Sequence, residues 1–383
     1  MSPRFTVLIV GGGPVGLTLA LLLARLQIHS EVLDARTLDA ARADRRLLAL
    51  SRGSVELLDP VVSLPSSVTA PIRTVVVSSA GEFGRVEIGA GELGPRPLGL
   101  TVRYGELLAP LAGACAGNTF IQMSRPLCVT ETRQHSTKVV VRLDDGSERE
   151  APILVNAEGT AGPLPGEPAQ VALVSDVVVQ GPESGSAYER FTRDGPLALL
   201  PCPGAPSGLG RSMSMVWCMP PGVAARRLAL DDGAFALELQ QAFGARNGTI
   251  LHLGPRASYP LHQQSRAALR EHRIVFVGNA AQTLHPVAGQ GLNLGMRDAA
   301  QLAGQLVRAH VERRDLVTAL ADYERMRRAD RTAILALTRN APQLFGTRAV
   351  PIAIGRSVAL AALSAVPALR QQFARLLMFG VRT

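Results

Sequence analysis

Lysine, cysteine and aromatic residues are all scarce in this chain of 383 residues. The four cysteines, Cys115, Cys128, Cys202 and Cys218, form no CxxC pair and no zinc spacing. A disulfide scaffold and a structural metal site are therefore not expected, and a reduced, cytoplasmic compartment fits. The histidines make no HxH or HExxH spacing and GxSxG is missing, so no metal ligand set and no nucleophile elbow is read. With one Trp and four Tyr there is little to stack bases. The net charge of +9 comes almost wholly from arginines spread along the chain, Lys138 being the single lysine. That pattern argues against nucleic acid as a partner; an anionic membrane surface suits the charge better. Long apolar runs are also missing. The uncharged run 357–369 contains Pro367 and is too short to span a bilayer. The start, MSPRFTVLIVGGG, has no charged n-region and cleavage site, so no signal peptide is expected.

Hydrophobic residues make up 47% of the chain, which excludes disorder and supports a sizeable core. Phe5 to Val10 reads as a buried parallel strand, LTLALLLARLQ as a helix apolar nearly all round, and Glu31 to Leu33 as a second strand. Residues 42–58 read as a loop running into a helix. Residues 73–79 and 153–155 read as strands, and 101–112 as a strand end followed by a helix. Lys138 to Leu143 with Asp144-Asp145-Gly146 reads as a hairpin. From 171 to about 260 the pattern turns strand-like, with one helix near 231–245, and RIVFV at 273–277 returns to a buried strand. Helices are expected over roughly 292–309 and 315–340. The fold class is α/β: a Rossmann-like domain with an inserted β-rich domain and a C-terminal helical segment. The boundaries are 1–72, 100–165 and 266–340 for the first, 73–99 and 166–265 for the second, and 341–383 for the third.

The motif Gly11-x-Gly13-x-x-Gly16, with Pro14 inside it, lies between the first strand and the first helix, and Asp34 ends the second strand. Gly11 permits the tight turn, Gly13 lets backbone approach a pyrophosphate, and Gly16 lets helix and strand pack closely; a carboxylate at 34 suits ribose hydroxyls. A second glycine-rich segment, GNAAQTLHPVAGQGLNLGMRD, again runs from strand to helix more than 260 residues later. Gly289 and Gly291 there offer backbone amides at a helix start, and Asn279 can bond a ribityl chain. An FAD stretched across the fold needs such a second loop; NAD alone does not.

This second segment closely resembles the flavin-contacting segment of the ubiquinone-biosynthesis FAD hydroxylases, within the p-hydroxybenzoate-hydroxylase-like aromatic monooxygenases. GGGPVG, DRRLLALSRGS and RFTRDGPLALLP agree in the same order. The branch most similar is the octaprenyl-methoxyphenol hydroxylase type. The resemblance implies that FAD is held by Gly11, Gly13, Pro14, Gly16, Asp34 and Arg46 at its nucleotide end. At the flavin it implies Gly278, Asn279, Pro286, Gly289, Gln290, Gly291, Leu292 and Asn293. Asn279 stands where many relatives have Asp, and Glu158 where the usual form has Asp. The implied activity is hydroxylation of a prenylated phenol with NAD(P)H as transient reductant and O2, through a flavin C4a-hydroperoxide. The other classes are a hydroxylase of a soluble aromatic compound and a non-catalytic flavoprotein scaffold among other quinone-biosynthesis proteins. Pro286 marks the pocket wall. His285 reads either as an aid to phenol deprotonation or as a loop histidine satisfied by backbone. The last 40 residues read either as an interfacial helix on the inner face of the cytoplasmic membrane or as a helix packed on the FAD domain.

Overall fold

The computed structural model describes residues 6–81, 84–159, 168–181, 183–204, 210–346 and 350–381. The elements around the site begin with β1 (Thr6–Val10), α1 (Pro14–Ala24), β2 (His29–Leu33), β3 (Leu47–Ser51), α2 (Arg52–Leu58), β4 (Thr74–Ser79), β5 (Arg85–Gly89) and β6 (Gly99–Arg103). Next come α3 (Tyr104–Ala116), β7 (Ile121–Ser124), β8 (Ile153–Asn156), β9 (Gln170–Gln180), β10 (Ser186–Phe191), β11 (Pro196–Pro201) and β12 (Arg211–Met219). The chain ends with β13 (Ile274–Phe276), α4 (Gln290–Glu312), α5 (Leu316–Gly346), α6 (Val350–Ala365) and α7 (Pro367–Phe379).

One sheet runs Arg270–Glu271, β13, β8, β1, β2, β7, parallel except for the Arg270–Glu271 edge. Its strands are short apolar runs because both faces are covered: α1, α3, α4 and the antiparallel sheet of Val129–Gln134, Val139–Leu143 and Glu148–Ala151 all bury apolar residues in its core. α1 is apolar all round for the same reason: Leu17, Leu19 and Leu23 are fully buried among the sheet, α3 and α4. The order reverses at β1, so the crevice beyond its carboxyl end is where this architecture binds ligands.

A second sheet runs Thr249–Leu253, β9, β12, β11, β10, β4, β5, with Ala257–Leu261 also on β9. Alternation divides its faces. Leu197, Leu199, Met215 and Trp217 face a core shared with Phe235 and Leu239 of the helix Asp232–Phe243. The residues between them face the first sheet across a cavity. A small sheet of β3, β6 and Thr69–Ile72 joins the two layers.

Three expectations need correction. Residues 47–51 form a strand, β3, because Leu47 to Ser51 pairs antiparallel with β6, a long-range partner the local pattern does not show. Among the described residues the β-rich layer carries two α-helices where one is expected; the extra one, Pro221–Leu228, opens on a proline, which suits the first helical position. The helix expected over 315–340 extends to Gly346. Phe5, at the head of the first expected strand, and residues 160–167 after Glu158 lie outside the described residues.

Candidate active site

The glycine-rich turn is built by contacts that only glycine permits. Gly11 has φ 113°, and a Cβ there would overlap the Ala157 carbonyl on β8's far end. A Cβ on Gly16 would land on the Gly11 carbonyl oxygen, so α1 can sit against the turn only as it is. Gly13 caps α1 and Pro14 opens it, leaving the first-turn amides without intrahelical partners. Asp34, at the end of β2 and nearly buried, accepts from the Gly12 amide at 2.7 Å and the Arg36 amide at 2.8 Å. Its carboxylate is thereby fixed at the cavity wall. Arg125 donates to the Gly12 carbonyl at 3.1 Å, while its Nε and Nη1 are buried with no partner. Arg125 is not among the residues that line the cavity; by its bond to the Gly12 carbonyl and its place 3.9 Å from the Asp34 carboxylate it braces the turn from behind. Arg46 is ion-paired to Asp44 and lies over the Tyr104 ring, 5.5 Å from its centroid. Tyr104 lines the cavity beside Gly13, whereas Arg103 turns away to Asp176 at 2.6 Å.

The second loop closes the other end. Gly278 has φ 61°, and its amide donates to Asp298 at 3.0 Å. Ala288 and Gly289 both lie in the left-handed region (φ 57° and 58°), and the Gly289 amide returns to the Pro286 carbonyl at 3.0 Å. α4 then starts with its first-turn amides, Gln290 to Leu292, without intrahelical partners at the cavity wall. Asn293 uses its whole amide within the protein: Oδ1 accepts from the Ser51 amide at 2.8 Å and Ser54 Oγ at 2.7 Å. Its Nδ2 donates to the Ala49 and Gly289 carbonyls at 2.9 and 2.7 Å. It pins the loop to β3 and α2. Gln290 Oε1 is buried without a partner, an acceptor fit for a ring N–H. His285 is 2% exposed; Nε2 meets Gln170 Oε1 at 2.8 Å and Nδ1 accepts from the Val287 amide at 3.4 Å. Burial pushes its imidazole down to about 4, so the ring is neutral and engaged at both nitrogens.

Both ends open on one cavity of about 1390 Å³, above the roughly 300–1,000 Å³ of a drug-sized site. Every residue expected at the cofactor lines it except Gly16, which lies beneath the turn. A third arm is apolar. Val75, Val77, Val86, Ile88, Ala198 and Val216 form its sheet wall, and Leu360, Leu363, Phe373 and Leu377 of α6 and α7 roof it. The C-terminal helices thus pack on the protein: Ser51 Oγ donates to the Met378 carbonyl at 2.9 Å, and Arg370 pairs with Glu92 at 2.7 Å.

Two residues of this site have no motif around them. Arg125 follows a four-residue strand in plain sequence. Glu189 lies one residue before the RFTRDGPLALLP segment; its only signal is a charge where Ala187 and Phe191 alternate inward.

A parallel sheet with a glycine-rich crevice, a second loop at a helix start and an apolar sheet wall together define a flavoprotein with room for a second molecule. The comparisons carry this further. The family model described as FAD binding domain matches residues 4–77 and 170–338, and the chain belongs to that family. It is an FAD-dependent aromatic-ring monooxygenase. The ubiquinone hydroxylase UbiL of Rhodospirillum rubrum is 32% identical over 96% of this chain and 88% of its own length. The 3-demethoxyubiquinol 3-hydroxylase of Escherichia coli is 28% identical over 79% of this chain and 80% of its own. In fold, the chain is similar to PqsL of Pseudomonas aeruginosa, a probable FAD-dependent monooxygenase (TM-score 0.75, 19% identity, 94% and 100% covered). It is also similar to p-nitrophenol 4-monooxygenase PnpA of Pseudomonas putida (TM-score 0.72, 16% identity, both chains covered in full).

Proposed function

We propose that this chain hydroxylates the ring of a prenylated phenol on the route to ubiquinone, with NAD(P)H as reductant and O2 as oxygen source. The observation that carries the substrate class is the apolar arm of the cavity. It adjoins the Pro286–Asn293 loop and continues between the sheet wall and α6–α7. A soluble aromatic acid would need a cation there. Of the described residues lining the cavity, the cations are Arg36 and Arg46, both at the nucleotide end.

FAD is held, on this reading, with its phosphates at Gly11, Gly13 and Pro14, its ribose at Asp34, and its ribityl chain at Gly278 and Asn279. The isoalloxazine ring lies against Pro286 and Gly289 to Leu292. The bound flavin supplies reduction by NAD(P)H and oxygen activation. The chain's own residues position the ring, shut out water and hold the phenol. His285 holds the loop by both ring nitrogens, and the apolar wall keeps the reacting oxygen from escaping to water. Residues 1–72, 100–165 and 266–340 serve the cofactor and 73–99 with 166–265 the substrate. Within the segment 341–383, α6 and α7 roof the substrate arm.

A membrane-resident substrate also gives α6 and α7 an outer task. Val358 on α6, Leu369 on α7 and Val366 between them are exposed, while Leu360, Leu363, Phe373 and Leu377 of the same helices roof the cavity. Contact of this surface with the inner leaflet would let substrate enter without crossing water. Among the described residues no helix is long and apolar enough to cross a membrane. The test of the substrate class is mass analysis of the quinone precursor that accumulates when the protein is removed. A prenylated ring lacking one hydroxyl is expected; an unchanged quinone pool overturns the reading.

A further inference from the structure

Among the strand residues that line the cavity, Glu189 is the one with a charge. It sits at the middle of β10, with Val77 of β4 on one side and Ala198 of β11 on the other. One strand further out lie Val86 and Val216. Ala187 and Phe191 flank it along its own strand, so every neighbour on this face is apolar. A carboxylate in such a place is costly unless something uses it.

Its neighbours do little to satisfy it. The one hydrogen bond it receives is long, from the Ala288 amide to Oε2 at 3.4 Å. No cation lies within ion-pairing distance among the described residues, since Arg190 turns to the other face and binds the Ala242 carbonyl and Ser78 Oγ. The nearest titratable group on the same face is Cys218, whose thiol burial keeps protonated. His285, across in the loop, is neutral and bound at both nitrogens. Glu189 therefore spans the gap between the substrate wall and the Pro286–Gly289 loop, and it is the free proton acceptor of that gap. Burial raises its carboxyl to about 7, against a small opposing effect of the Ala288 amide. A group poised near neutrality can take a proton and give it back.

We propose that Glu189 is a catalytic residue that accepts the proton of the substrate's phenolic hydroxyl. The inference rests on the phenol-hydroxylase reading above. In the step, the phenol O–H bond breaks heterolytically and a Glu189 O–H bond forms. The electron pair stays on the phenolic oxygen and delocalises into the ring, raising electron density at the carbon that receives oxygen. Once the oxygen atom is in place, the ring carbon's proton leaves with the second atom of O2 in the water that is released, and Glu189 returns its own proton to the phenolic oxygen. The oxygen atom comes from O2 and the two electrons from NAD(P)H, as in the overall reaction. The carboxylate ends as it began.

The test uses the FAD-loaded full chain, with Glu189→Gln and Glu189→Asp beside the parent. The probe is a 4-nitrophenol carrying a geranyl group next to its hydroxyl, whose phenol and phenolate forms differ in absorbance. At pH 7 the parent is expected to bind the probe partly as phenolate with no proton released to solvent. Glu189→Gln is expected to bind it as phenol, with its ionisation displaced to higher pH. Turnover of a prenylated phenol should fall by about 100-fold or more in Glu189→Gln, with KM little changed, and recover in part in Glu189→Asp. FAD content serves as the check on folding. An equal or larger phenolate fraction in FAD-loaded Glu189→Gln overturns the proposal. Failure of the parent itself to bind the probe or turn over any prenylated phenol would instead sink the substrate reading.

Discussion

Single residues set what this cavity can hold. Gly13 caps α1 where a pyrophosphate must approach, and a side chain there meets the Tyr104 hydroxyl at 3.3 Å from its first atom. Gly13→Glu adds bulk and negative charge at that point, so the purified variant is expected to carry no FAD. A yellow variant with one FAD per chain would remove the assignment. Two titrating groups act oppositely on stability. His285 falls from about 6.5 unfolded to about 4 folded, so the unfolded state binds more protons between those values. Its contribution is lost as pH drops through that window, by up to about 3 kcal/mol. Glu189 rises from 4.5 to about 7, so the folded state binds more protons there and stability falls as pH rises. The two slopes offset one another in the parent. Urea unfolding at pH 5 and pH 7 should expose each alone. His285→Gln becomes relatively less stable at pH 7, and Glu189→Gln relatively less stable at pH 5. Parallel pH profiles for both variants would show that neither group is shifted as described.

At the scale of elements, the sequence made the cofactor end legible because its geometry is local. A strand, three glycines, a helix and a carboxylate at the next strand end fall within residues 6–34, and the second loop is equally contiguous. What it hid depends on long-range pairing. β3 exists through β6, some fifty residues on, and Glu189 faces the loop only because β10 pairs with β4 and β11. The C-terminal helices were open to two readings, and α6 and α7 are seen to roof the apolar arm, with the Met378 carbonyl bonded to Ser51. Deleting residues 350–383 is therefore expected to leave most FAD in place, since the flavin loop and its pin Asn293 remain. The arm would open to water, and NAD(P)H oxidation should run without hydroxylation, releasing hydrogen peroxide. Measured peroxide per NAD(P)H consumed should rise severalfold. An unchanged coupling ratio would mean that the roof plays no part in keeping the arm dry.

Across the whole molecule, one buried ionic cluster ties the flavin loop to the end of the chain. Asp298 of α4 receives the Gly278 amide, Gln282 Nε2 at 2.8 Å and Arg327 Nε at 2.6 Å. Arg327 of α5 also reaches Asp330 at 2.6 Å, and Arg297 of α4 reaches Asp330 at 2.9 Å. Asp330 in turn accepts from the Val381 amide at 3.0 Å, just past α7. Two aspartates balance two arginines, and all four side chains are less than a tenth exposed. Such a cluster adds little net stability over apolar packing, but removing one member leaves its partners buried and uncompensated, at about 3–5 kcal/mol. Asp330→Ala strips both arginines of a partner and the tail of its anchor. It is expected to lower stability by that order and to speed protease cleavage within residues 347–383. Asp330→Asn keeps an acceptor for Val381 and should release the tail less. If Asp330→Ala lowers the unfolding midpoint while the rate of tail cleavage stays at the parent's value, the cluster braces α4 against α5 only. The roof over the apolar arm would then be held by its packing on Ile72, Val86 and Ile88 and by the bonds to Ser51 and Glu92.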